Sequence, residues 1–100
     1  MTTIAAFLLA RIAEDEATAK AGVGAPDLIP LGCHDPERVL AECAAKRAIV
    51  EKAQRADEAF GRQINPATSA ASFALTEVLC RLAAPYADHP DYDPAWKVEP

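Results

Sequence analysis

Apolar residues recur at intervals of three and four over most of the chain, and no stretch alternates apolar with polar residues as a half-buried strand would. The strongest run is HDPERVLAECAAKRAIVE, from His34 to Glu51. Asp35 stands where an N-cap belongs, Pro36 at the first helical position and Glu37 in the first turn, where its charge meets the positive end of the helix dipole. Val39, Cys43, Val50, Ala53 and Phe60 then follow the helical period, with Leu40 and Ile49 on the flanks. Glu42 with Lys46 and Glu51 with Arg55 stand four apart, acid first, the orientation that supports a helix. The pattern predicts a helix over about 36–60, closed by Gly61, its apolar stripe interrupted by Lys46 and Asp57.

Two further helices follow from the same period. Thr2 or Thr3 can cap a first helix over about 3–21, stopped by Gly22, with Ile4, Phe7, Leu8, Ile12 and Ala19 on one face. Arg11 and Asp15 fall on that face four residues apart and can pair with each other. Glu14, Asp15 and Glu16 lie past its middle, where the dipole gives no help, so neighbouring cations should answer them. Asn65-Pro66 repeats the cap-then-proline signal, with Ser69 as an alternative start, for a third helix over about 67–84 ended by Pro85. Its stripe is Ala71, Leu75, Val78, Leu79 and Leu82, with Phe73, Glu77 and Cys80 opposite.

Two segments are not helical runs. Gly22 to Cys33 holds three glycines and two prolines but also Val23, Leu28, Ile29 and Leu31, and reads as an ordered connection over the core. The tail, 85–100, carries Tyr86, Tyr92 and Trp96 among its prolines, half of the six aromatics in the chain. Proline excludes a long helix there, and aromatic rings favour a surface over solvent. The fold expected is all-α: three helices in a single domain of 100 residues, with the tail packed across them.

Composition narrows the function. The formal net charge is −5 and the ten basic residues are scattered among acids, which disfavours binding to nucleic acid. Three cysteines, Cys33, Cys43 and Cys80, are an odd number without CxxC spacing, and read as reduced thilos of a cytoplasmic protein. The apolar run Ile4 to Ala10 is too short to cross a bilayer and lacks the basic start of a signal peptide.

Three chemistries have some of their ingredients. Cys33-His34, Cys43, Cys80 and His89 could ligate a metal, but only the first two are close in sequence. The same residues lack any sign of an oxyanion hole for a Cys-His nucleophile. Glu14, Asp15, Glu16 and Glu42 could suggest a magnesium-dependent helical hydrolase, yet Glu42 and Glu51 lie nine apart on different faces of their helix. The charges within the stripes are more informative. If the first two helices are antiparallel, Asp15 comes within reach of Lys46, a structural pair that would set register.

Several segments resemble a family. His34-Asp35-Pro36-Glu37-Arg38-Val39-Leu40 with Ala45-Lys46-Arg47, the tail from Leu82 to Tyr92 with Trp96 beyond, and Phe7-Leu8-Leu9-Ala10-Arg11 are similar to short proteins of actinobacteria and their phages. That family is a domain of unknown function, so the resemblance implies source and architecture and no activity. Many of its members have a longer connection after the first helix and His or Cys residues before the third. Here Lys52 to Ser72 has neither. The expectation is a non-enzymatic module, needing no cofactor, that binds a protein through Phe73 or the aromatic tail, as a homodimer contact or a groove for a partner. The rival is the small metal-dependent hydrolase.

Overall fold

The computed structural model describes residues 2–22 and 35–98. The apolar connection expected between the first two helices, with Cys33 and His34, lies outside them. Three α-helices run in chain order: α1, Ile4–Gly22; α2, Pro36–Arg62; and α3, Pro66–Ala83. Two 3-10 turns follow, Ala84–Tyr86 and Pro94–Trp96, and there is no strand among the described residues. The chain is all-α, as its periodicity predicts.

Each helix start has a local chemical cause. Thr3 Oγ1 accepts from the Ala6 N–H at 3.1 Å. Asp35 Oδ1 accepts from the Arg38 N–H at 3.1 Å, with Pro36 next in the chain. Asn65 and Thr68 form a reciprocal capping box, side chain to backbone in both directions. The third helix thus starts at Asn65-Pro66 and not at Ser69.

Gly61 does not close α2. The helix runs through it to Arg62, and Gln63 caps it in extended backbone (φ −147°, ψ 104°), so no left-handed residue is needed at this end.

Helices α1 and α2 are antiparallel: Thr3 and Ile4 lie beside Asp57 and Glu58, while Glu16 bridges to Arg47. Helix α3 returns antiparallel to α2, its Ser72 hydroxyl donating to Asp57 Oδ1 at 2.6 Å. The centre is built from Phe7, Leu8, Ile12 and Val50, the largest fully buried side chains, with Cys43, Ala53, Leu79 and Ala83 around them. Each large one contributes about 1.5–3 kcal/mol by leaving water. In α3 the expected stripe holds in part: Leu79 is buried and Leu75 and Leu82 pack on the core, but the face is turned so that Ser72 and Ala83 are inside while Ala71 is exposed and Val78 partly so. The bond to Asp57 satisfies the Ser72 hydroxyl, which is what lets a polar residue occupy that buried position.

The tail runs back along α1, opposite in direction. Tyr86 reaches Asp15, His89 reaches Arg11, and Trp96 packs on Phe7 with ring centroids 5.0 Å apart. Prolines at 85, 90 and 94 break it into turns, and Asp93 caps the last by accepting from the Ala95 N–H at 2.9 Å. The molecule is elongated, 53 × 25 × 24 Å, and α2, with 27 residues, is the longest described helix.

Candidate interaction surface

Two places combine unusual side chains: the seam between α1 and the tail, and the outer face of the hairpin made by α2 and α3.

In the seam, Phe7 is the hub. Tyr86, His89 and Tyr92 meet its ring edge-on at 6.2, 5.6 and 6.1 Å, and Trp96 lies tilted over it. Beside it Arg11, its side chain only 9% exposed, must be answered by protein groups, since a buried charge without partners costs several kcal/mol. Its Nη2 donates to Glu14 Oε1 at 3.1 Å, and its Nη1 lies against the His89 ring, 2.8 Å from Nδ1. The Asp91 carboxylate stands 4.0 Å away, and the guanidinium carbon sits 5.2 Å from the centre of the Phe7 ring. Nε is buried without a partner. The Asp91 backbone N–H donates to His89 Nδ1 at 3.0 Å, which holds the ring over Arg11.

The acidic triplet is answered, but not by the partners expected. Arg11 takes Glu14, not Asp15. Asp15 Oδ2 accepts the Tyr86 hydroxyl at 2.6 Å, and the bridge between α1 and α2 joins Glu16 to Arg47 in place of Asp15 to Lys46. Each partner of that bridge is one residue further along its helix, a turn of about 100° on both. Burial first, and then the Asp15 carboxylate, push the Tyr86 phenol far above its ordinary range. Cys43 is buried and its thiol is raised as well, chiefly by burial and then by Asp15 and Glu16. Cys80, half-buried, is raised by burial and by Glu77. None of these thiols carries the low-pKa signature of a nucleophile.

The hairpin face is different in kind. Phe73 is 67% exposed and Ile64 78%, the two most exposed large apolar side chains described. Phe73 stacks against half-buried Phe60 at 6.1 Å, tilted by 56°. Ile64 projects from a three-residue turn held at both ends: Gln63 caps α2, Asn65 caps α3, and Thr68 Oγ1 donates to the Gln63 carbonyl at 2.7 Å. Helix α1 begins level with Asp57 and Glu58, so the last turn of α2, this connection and the start of α3 stand beyond it.

Phe73 is thus on the surface, while Tyr86, Tyr92 and Trp96 are half-buried against the core. Reading by periodicity put Phe60 inside and passed over Ile64. An isoleucine in the polar connection Gly61-Arg62-Gln63-Ile64-Asn65 was the available signal.

Two shallow clefts lie among the described residues. One, about 410 Å³ at the start of α1, exposes Asp57 and Glu58, of which Asp57 is already engaged by Ser72. The other, about 450 Å³, is an apolar dent within the tail between Ala84, Tyr92 and Val98. Among the described residues no three His, Cys, Asp or Glu side chains converge as metal ligands would, and no helix is long and apolar enough to cross a membrane.

Compared with known proteins, residues 1–98 match the model of a family described as "Family of unknown function (DUF6221)". No curated protein and no solved structure matches the chain.

Proposed function

The chain belongs to this family of unknown function, and we propose that it is a non-enzymatic protein-binding module whose contact surface is the outer face of the α2–α3 hairpin. The observation that carries this is the pairing of exposure with rigidity at Ile64 and Phe73. Exposed apolar side chains are costly to keep and add nothing to the core. A capped turn and a stacked aromatic partner hold these two in place before any encounter, which lowers the entropy lost on binding. Large apolar anchors of this kind carry most of the affinity in protein interfaces.

The rival hydrolase needs carboxylates brought together from two helices. Here Glu14, Asp15 and Glu16 turn to Arg11, Tyr86 and Arg47, and Glu42 to Arg38. The setting proposed is the cytoplasm of an actinobacterium or of a phage-infected cell, where the module acts on a cellular or host protein.

The test compares the parent chain with Phe73→Asp, each immobilised and exposed to lysate of the source cells. Since Phe73 is mostly in solvent, the variant should keep its stability within about 0.5 kcal/mol. Proteins retained by the parent and lost from the variant are the expected result. Identical recovery from both would reject this surface.

A further inference from the structure

Helix α1 begins level with Asp57 and Glu58, and α2 continues past that level to Arg62 before the turn at Ile64. The hairpin therefore overhangs α1 as a step, and the cleft of about 410 Å³ lies in its corner. Ile4, Ala5 and Leu79 supply apolar walls there, and Asp57 and Glu58 supply carboxylates. Neither acid is in an ion pair among the described residues, and Asp57 accepts only the neutral Ser72 hydroxyl. Gly61 stands one turn past them on the overhang, on the same side of α2. A side-chain carbon added to it would meet nothing within 4 Å, so the space above the cleft is open. Arg62, four residues past Glu58, is bridged neither to it nor to any other described acid, and Ile64 at the tip is 78% exposed. The connection between α1 and α2 attaches at the far end. Along their helices, Gly22 lies about 27 Å from Ile4 and Asp35 about 33 Å from Asp57, at 1.5 Å per residue. The thirteen chain steps from Gly22 to Asp35 reach roughly 47 Å at most, too short to visit the step and return.

We propose that the step is a self-association site: two copies of the chain interlock about a two-fold axis, the tip of each seated in the other's cleft. The tip itself carries the complement of the cleft. Ile64 is apolar and suits the walls of Ile4, Ala5 and Leu79, while Arg62 is basic and suits Glu58 at the rim. Height matches as well, because the overhang of one copy is as tall as the space above α1 in the other. A two-fold axis near Phe60 lays the two α2 ends antiparallel, so that Glu58 of each copy faces Arg62 of the other. The second copy's Ile64 then comes level with Ala56, where the cleft lies. The C-terminal end of α2 in one copy also meets the N-terminal end of α1 in the other, opposite ends of their dipoles.

The pairing uses Ile64 and not Phe73, so it rests on the protein-binding reading above only for Ile64 as a contact residue. A chain of net charge −5 repels its own copy over most approaches. At the step that repulsion is replaced by two contacts between arginine and glutamate, which steer the copies into this one arrangement. Contact confined to the tips makes the dimer one of the small, dissociable class, below about 1,200 Å² in all.

Sedimentation equilibrium of the whole chain over a hundred-fold range of concentration should show monomer and dimer in exchange. Glu58→Arg and Arg62→Glu, both at exposed positions, should each weaken the dimer at least ten-fold with an unchanged circular dichroism spectrum. Mixed in equal amounts, the two variants should associate within three-fold of the parent, since each then offers the charge that the other lacks at both contacts. Ile64→Asp should weaken the dimer at least ten-fold, and Phe73→Asp should leave it unchanged. A parent chain that is monomeric throughout, a dimer that neither charge reversal dissociates, or variants that stay apart when mixed would overturn the interlocked pair. A dimer that Phe73→Asp alone dissociates would move self-association to the outer face and overturn this site, while the reading above stands. After any of these failures the lysate comparison with Phe73→Asp still decides the protein-binding reading by itself.

Discussion

Tyr86 commits its hydroxyl to Asp15, and that bond makes the protein sensitive to base. Burial and the carboxylate hold the phenol protonated well above its ordinary range. Below pH about 10 the folded and unfolded chains both carry this proton, and the bond contributes in full. Above it the unfolded chain loses its proton first, so stability falls as pH rises. Cys43, raised from 9.0, acts in the same sense from about pH 9. Tyr86→Phe keeps the ring on Phe7 and removes the bond. It should cost about 1–2 kcal/mol at pH 8, since a half-buried bond to a charged acceptor falls near the low end of its class. Urea midpoints at pH 8 and pH 10.5 should then show a smaller fall in the variant than in the parent. An equal fall would mean that other groups set the alkaline limb. At this scale the sequence was a poor guide. Asp15 and Lys46 have the right charges and spacing for a pair, but a rotation of one residue on each helix hands the bridge to Glu16 and Arg47 and leaves Asp15 to a tyrosine 71 positions away. Nothing local to Asp15 announces that partner.

The helices themselves were readable because their signals are local. Asp35-Pro36 and Asn65-Pro66 cap their helices within three residues, and the side chains that do so are adjacent in the chain. Gly61 misled for the complementary reason: glycine ends a helix where a left-handed residue is wanted, and the extended Gln63 removes that need. A methyl group added at Gly61 meets nothing within 4 Å. Gly61→Ala should accordingly stabilise the protein by about 0.5–1 kcal/mol, mostly by restricting the unfolded chain, and thermal unfolding would register it. A loss of stability would show that the last turn of α2 needs glycine after all. The rotation of α3 was hidden, because Ser72 outranks Ala71 at the buried position only once Asp57 is there to accept its hydroxyl.

For the molecule as a whole, the three helices leave Phe7 needing a cover, and the tail supplies it. The aromatic, proline-broken tail could be read as a segment seeking a surface, but not which surface. Trp96→Ala should cost about 2–3 kcal/mol, less than full burial would give because the ring is half-exposed. The midpoint of thermal unfolding should drop by on the order of 10 °C. An unchanged midpoint would mean that Tyr86 and Tyr92 cover Phe7 without it. The same arrangement governs how the protein is born. Phe7 and Trp96 are 89 positions apart, so at ordinary rates of translation roughly 5–20 s separate their appearance. Until the tail emerges, the side of Phe7 that Tyr86, Tyr92 and Trp96 cover in the finished fold lacks that cover, so the last aromatics to be made complete the packing of one of the first.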